Sequence, residues 1–137
     1  MTKRQLKVGE KVVLKLRVSE EDVHYAGGLV AGSYVLGLFG DAATEITIRY
    51  DGDEGLLAAY NKVELESRVH AGDFLEVSGW ISKVGKTSRV IELEAKRYIK
   101  VVGTPQESSA DYLAKPELVA RAEMVGVVPK NCQRYSG

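Results

Sequence analysis

VHYAGGLVAGSYVLGLFGDAATE, residues 23 to 45, is the stretch on which the rest of the chain turns. From Val23 through Gly40 it holds no Asp, Glu, Lys or Arg, although charged residues make up 28% of the sequence. An uncharged run of that length raises the question of a membrane span. Five glycines, a histidine, a serine and two tyrosines interrupt it, and it lacks the continuous large-apolar character that a bilayer demands. The better reading is a helix apolar nearly all round, which a soluble protein must bury on most sides. Leu29, Val30, Tyr34, Val35, Leu36, Leu38 and Phe39 supply its bulk. The pattern predicts a helix over residues 28–39, with Gly40 as its C-terminal cap. Gly28, Gly32 and Gly37 would keep its surface thin enough for a sheet to approach.

Outward from this helix the chain reads as strands. Before it, residues 11–18 alternate, with Val12, Leu14, Leu16 and Val18 facing one way and Lys15 and Arg17 the other. Ser19 followed by Asp22 is a capping signal for a short turn. After it, a strand is predicted over 44–50, with Ile46 and Ile48 on one face. Asp51-Gly52-Asp53-Glu54-Gly55 is a turn signal. Strands follow over 56–66, over 74–84 with the lone Trp80, and over 87–102, divided by Ala71-Gly72-Asp73 and by a Gly85-Lys86 hairpin. Ile91, Leu93, Ala95, Ile99 and Val101 are read as inward.

Residues 103–115 have linker composition, with a helical turn expected at Asp111-Tyr112-Leu113. A last strand covers 117–128, with Leu118, Ala120, Ala122 and Met124 inward, until Pro129 stops it. The polar ends, about 1–10 and 129–137, lie outside this frame, and the second is expected to order only against a partner. One strand, one buried helix and five strands joined mostly by hairpins give an α+β chain. A single antiparallel sheet wraps around one long helix over residues 1–137, the arrangement called a hotdog fold. Its edge strands are open, so pairing with a second subunit is expected.

Composition narrows the function classes. Lys plus Arg and Asp plus Glu are both 19, so no basic excess points to nucleic acid. Cys132 is the lone cysteine, which rules out an internal disulfide and suits a reducing compartment. The N-terminal residues contain no signal-peptide core. A cytoplasmic protein with no membrane partner is the expectation.

Most catalytic motifs fail on inspection. Val84-Gly85-Lys86-Thr87-Ser88 resembles the end of a phosphate-binding loop, but Trp80 occupies the position of its first glycine and a strand follows instead of a helix. It reads as a hairpin turn whose Lys83, Lys86 and Arg89 could meet an anionic ligand. His24 and His70 have no second His or Cys at ligand spacing, so no metal site is expected.

Two features remain. Asp41 and Glu45 lie just past the predicted helix and are candidates for acid–base work, since burial moves a carboxylate toward neutrality. The plainer alternative makes Asp41 a turn residue and Glu45 the start of a strand. At the other end, His24-Tyr25 precedes Ala26-Gly27-Gly28. Free N–H groups at a helix start can hold a thioester oxygen as it gains charge, and glycines allow close approach of a ligand. The alternative makes His24 a structural histidine at a loop–helix junction.

The combination His24-Tyr25-x-Gly27-x-Leu29-Val30-x-Gly32, Gly40-Asp41-x-x-Thr44-Glu45, Asp51-Gly52-Asp53, Ala71-Gly72-Asp73, Gly79-Trp80-Ile81 and Val84-Gly85 resembles the acyl-CoA ammonia-lyases of the hotdog superfamily, over residues 11–100. These are the beta-alanyl-CoA and 3-aminobutyryl-CoA ammonia-lyases of amino-acid-fermenting bacteria, and the tail at 128–133 is more similar to the 3-aminobutyryl branch. The resemblance implies reversible loss of ammonia from a 3-aminoacyl-CoA, 3-aminobutyryl-CoA to crotonyl-CoA in lysine fermentation. It implies no metal and no redox cofactor, with coenzyme A entering as part of the substrate.

That chemistry needs a base for the weakly acidic alpha proton, assigned to Glu45. Asp41 would hold the substrate ammonium or pass the proton, and the two acids could exchange these roles. His24 and Tyr25 would position the thioester, Gly27 and Gly28 would donate to its oxygen, and Thr44 would add a substrate contact. Lys83, Lys86 and Arg89 are the choice for the CoA phosphates. A homodimer or higher homo-oligomer with its site at the subunit interface is implied. Acyl-CoA hydrolysis would use the same pocket, and a non-catalytic acyl-CoA binding module is the third class.

Overall fold

A computed structural model describes residues 4–135. Five strands form one antiparallel sheet: β1 Val12–Arg17, β4 Leu56–Leu65, β5 Phe74–Val84, β6 Ser88–Val101 and β7 Ala110–Val127. Their order across the sheet is β1-β5-β6-β7-β4. Register pairs such as Leu14 with Val77, Ile81 with Ile91 and Ile91 with Met124 align the inward side chains of adjacent strands. The period-two alternation of β5 and β6 places Leu75, Val77, Ile81, Ile91, Leu93 and Ala95 against the helix, each 2% exposed or less. Two short strands, β2 Val23–Tyr25 and β3 Leu29–Val30, form a separate ribbon.

The helix, α1, runs Gly32–Asp51, 20 residues, or about 30 Å. This corrects the sequence reading at both ends. Residues 28–31 precede it, Gly40 lies inside it, and residues 44–50 are helical instead of forming a strand. The buried residues Val35, Phe39, Ala42, Ala43, Ile46, Thr47 and Asp51 recur at three- and four-residue spacing, the period of one helix face. Its C-terminal cap is Gly52, at φ 75°, whose N–H donates to Ile48 O at 2.8 Å. Phe39 and Ile46 are fully buried; truncating an aromatic at such a site costs about 3–5 kcal/mol.

The glycine that lets sheet and helix meet is Gly79, on β5. A Cβ there would lie 2.8 Å from Leu93 Cδ2 and 3.0 Å from Ile46 Cδ1. At Gly28 and Gly37, where close approach was expected, an added Cβ would meet nothing within 4 Å.

Two further expectations are corrected. Asp111 and Tyr112 pair with Lys100 and Ile99 as strand, not as a helical turn, and β7 bulges between Tyr112 and Glu117 before resuming its register. Pro116, which has no donor to give a ladder, lies in that bulge. The C-terminal segment is ordered on its own chain through residue 135. Arg134 N donates to Asp51 O at 2.8 Å, and Gln133 Nε2 donates to Lys86 O at 2.7 Å. Among the described residues no helix is long and apolar enough to cross a membrane.

Candidate active site at the helix start

Two segments fold together ahead of α1. Gly27 and Gly28, at φ 80° and 78°, turn the chain between β2 and β3, a conformation that costs glycine little. Gly28 O accepts from Ala71 N at 2.9 Å, and Val30 N donates to Val69 O at 2.9 Å. The 66–73 segment is thus docked along the 28–30 segment. A buried polar cluster anchors it from behind. Asp73, fully buried, accepts from His70 N and Val101 N at 2.9 Å each. Arg97, 4% exposed, donates from Nη1 to Asp73 Oδ2 at 3.1 Å and to Arg68 O at 2.7 Å. Its Nη2 donates to Glu117 Oε2 at 3.0 Å.

These segments enclose a cavity of about 720 Å³. Tyr25 and Ala26 ahead of the helix, Gly32 and Val35 of its first turns, and Leu65, Glu66 and Arg68 from the end of β4 and the segment after it contribute to its lining. The helix enters this cavity uncapped, because its N-cap residue is Ala31 and no side chain bonds the first turn. The N–H groups of Gly32 and Ser33 therefore have no partner within the helix. They form the positive end of the helix dipole, to which an oxygen of growing negative charge is attracted. Gly32 cannot carry a side chain without displacing Leu65, whose Cδ1 would lie 2.6 Å from its Cβ.

The sequence-predicted residues divide between this cavity and the rest of the helix. Tyr25 lines the cavity. His24 is exposed and stacks edge-on against Tyr25 at 4.7 Å, outside the lining. Gly27 and Gly28 belong to the β2–β3 turn and do not start the helix, so the N–H groups at its start are those of Gly32 and Ser33. Asp41 is exposed and Glu45 half-buried, with Arg49 Nη1 3.3 Å from Glu45 Oε2. They share one face, four residues apart, but Asp41 lies nine residues beyond Gly32, about 13 Å along the axis. Thr44 sits between them and donates its hydroxyl to Gly40 O at 2.8 Å. One chain therefore does not bring Asp41, Thr44 or Glu45 to the cavity at the helix start.

Lys83 and Lys86 are exposed on and beside the β5–β6 hairpin, at the opposite end of the helix. Arg89 is not available to a phosphate. It is 1% exposed, and its Nε and Nη2 donate to the Asp51 carboxylate at 2.8 and 2.9 Å. Its Nη1 is held by Gly85 O and Ser88 O. The Asp51 carboxylate raises the pKa of Arg89 and keeps it charged. Burial also raises the Tyr34 and Tyr60 hydroxyl pKa values, and Tyr60 donates to Leu36 O at 3.1 Å.

Sequence reasoning missed Gly32, Glu66 and Arg68 as cavity residues. The signal for Gly32 lies in its close spacing after Gly27-Gly28, but a helix read from residue 28 starts four residues before the observed one. Glu66 and Arg68 carried no signal, because their place depends on the docking of the 66–73 segment.

This sheet order and long central helix define the class of the chain, a hotdog fold. No protein-family model matches it. It is 49% identical over 124 residues to the 3-aminobutyryl-CoA ammonia lyase of Acetoanaerobium sticklandii, covering 90% of this chain and 98% of that protein. It superposes on the beta-alanyl-CoA:ammonia lyase of Clostridium propionicum with a TM-score of 0.88 and 38% identity, covering 93% and 91% of the two chains. A hexameric broad-specificity acyl-coenzyme A thioesterase shares the fold alone, with a TM-score of 0.72 and 20% identity over 96% of this chain and 87% of that one. The chain belongs to the acyl-CoA ammonia-lyase family, enzymes that break a carbon–nitrogen bond.

Proposed function

We propose that this protein catalyses the reversible elimination of ammonia from a 3-aminoacyl-CoA, converting 3-aminobutyryl-CoA to crotonyl-CoA at the helix start. The observation that carries the reading is the uncapped N-terminus of α1 opening into an apolar cavity beside Tyr25. A thioester oxygen seated against the Gly32 and Ser33 N–H groups is stabilised as the alpha proton leaves and the enolate forms. A carboxylate takes that proton. The electron pair then forms the alpha–beta double bond, and the ammonium departs with the carbon–nitrogen pair as neutral ammonia. This sequence calls on side chains and backbone alone, with coenzyme A carried by the substrate.

Glu45 is the proposed base, with Asp41 holding the ammonium or passing the proton. Both must come from a second copy of the chain, because their own helix start is too far away. The exposed surface fits such a copy. Ser33, Gly37, Asp41 and Ile48 form an uncovered stripe along α1. Edge strand β4 exposes Leu56 and Leu57 at 68% and 54%. A paired copy lying on both would cover Asp41 and supply the burial that acid–base work requires. Lys83 and Lys86 remain the proposed CoA-phosphate contacts, from a neighbouring chain's hairpin. A cytoplasmic setting suits the unpaired Cys132.

The test is to add 3-aminobutyryl-CoA and follow enoyl-thioester absorbance and free thiol together. Rising absorbance without thiol supports the lyase. Thiol without enoyl product turns the reading to hydrolysis. Glu45→Gln should lose most of the elimination rate; near-full activity would overturn the choice of base.

A further inference from the structure

A second cavity, of about 140 Å³, lies between the middle of α1 and the sheet edge. Gly40, Ala43, Thr44 and Thr47 line it from the helix, Leu57 from β4 and Gly126 from β7. A Cβ at Gly126 would lie 3.8 Å from Thr47 Cγ2 and 3.9 Å from Ile91 Cδ1, ordinary contact distances. The open side of Gly126 therefore faces the helix, and the space it leaves is space that a methyl group fills without strain.

The neighbours of this cavity give it meaning. Gly40 and Thr44 directly precede Asp41 and Glu45 in the chain. Thr44 is also three residues from Asp41, a spacing that sets Cβ atoms about 5–6 Å apart on a helix. A substrate whose alpha and beta carbons lie at those acids carries its next carbon toward the cavity. The lining suits an alkyl group. The Thr44 hydroxyl donates to Gly40 O at 2.8 Å and the Thr47 hydroxyl to Glu54 O at 2.7 Å, so neither hydrogen is left for a ligand. Apart from Glu54, which is exposed, the other side chains are apolar: Ala43, Leu56, Leu57, Ile91 and Met124. A carbonyl would lose its hydrogen bonds to water there without replacement, and a hydrocarbon group would not. One water takes about 30 Å³ in the liquid and a methyl group is of similar size, so the cavity has room for a methyl and a short extension.

We propose that this cavity receives the alkyl substituent on the beta carbon of the substrate, and that Gly126 sets its depth. The assignment rests on the ammonia-lyase reading and on Asp41 and Glu45 as its acids. It makes the middle of α1 the place where a methyl-bearing beta carbon is told from an unsubstituted one.

The test uses thioethers that can neither eliminate nor hydrolyse, S-propyl-, S-butyl- and S-hexyl-CoA, in calorimetric titrations of wild type, Gly126→Ala and Gly126→Val. Wild-type affinity should rise about fourfold with each added carbon, as expected for a buried methylene. Gly126→Ala should lose the gain at S-hexyl-CoA first, and Gly126→Val already at S-butyl-CoA, with S-propyl-CoA affinity unchanged in both. A wild type that gains nothing beyond S-propyl-CoA overturns the assignment. So does a gain that survives in both variants, which would place the chain elsewhere, or an equal weakening toward all three thioethers. Turnover of 3-aminobutyryl-CoA by wild type, measured separately, tests the lyase reading itself.

Discussion

Asp51 and Arg89 form a fully buried two-point ion pair that joins the last residue of α1 to the start of β6, with N–O distances of 2.8 and 2.9 Å. Asp51 is 0% and Arg89 1% exposed. The pair fixes the helix end against the hairpin that carries Lys86. Removing one partner strands a buried charge, which costs about 3–5 kcal/mol. Asp51→Asn and Arg89→Met should each lower the unfolding free energy by that measure, read as a lower urea midpoint at unchanged m. The double change Asp51→Leu, Arg89→Met should recover part of the loss, because no charge is then left unpaired. Single variants with wild-type midpoints would show that the pair is not a structural element.

The open edge of β4 gives a second prediction. Leu57→Lys places a charge on an apolar edge that one chain leaves 54% exposed. Light scattering should find the variant at the 15.0 kDa mass of one chain, with elimination activity lost and the unfolding midpoint of the monomer little changed. An active monomer would contradict a site completed by a second copy.

Acid stability supplies the third. Arg97 donates to Glu117 and lowers its carboxyl pKa below the ordinary value, with Lys100 adding to the effect. A carboxylate depressed in the folded state binds fewer protons there than in the unfolded chain. Its contribution is present above the unfolded pKa, about 4.3, and is lost as pH falls through the folded one. Glu117→Gln should flatten the fall in stability below about pH 5 and leave the elimination rate at neutral pH unchanged. Unfolding midpoints measured between neutral pH and pH 3 decide it. An acid limb identical to wild type would remove Glu117 as a source of the slope.

The alternating strands were the most legible part of the fold. Residues 74–84 are bounded as read because Leu75, Val77 and Ile81 share one parity, broken only by Gly79, and turn residues flank them. The helix was legible as an element but not in its extent. Thr44-Glu45-Ile46-Thr47-Ile48 satisfies a period of two as well as a helical one, and β-branched residues favour the strand reading. The deciding signal was the continuation of Val35, Phe39 and Ala42 into Ile46, with Gly52 as the stop. Arg89 and Arg97 share the inward parity of Ile91, Leu93 and Ala95. Their burial was thus written in the alternation, but their partners Asp51 and Asp73 come from other elements and could not be matched without the fold. Of the site, Tyr25 was legible. Glu66 was not, because nothing local marks a lining residue whose neighbours are brought by docking.

The most direct measurement is a mass spectrum of crotonyl-CoA after incubation with the protein and ammonium at mildly alkaline pH. A new CoA ester heavier by one ammonia is the predicted result, the elimination run in reverse. Free CoA with no such adduct would contradict the account and make the helix-start cavity a site of hydrolysis.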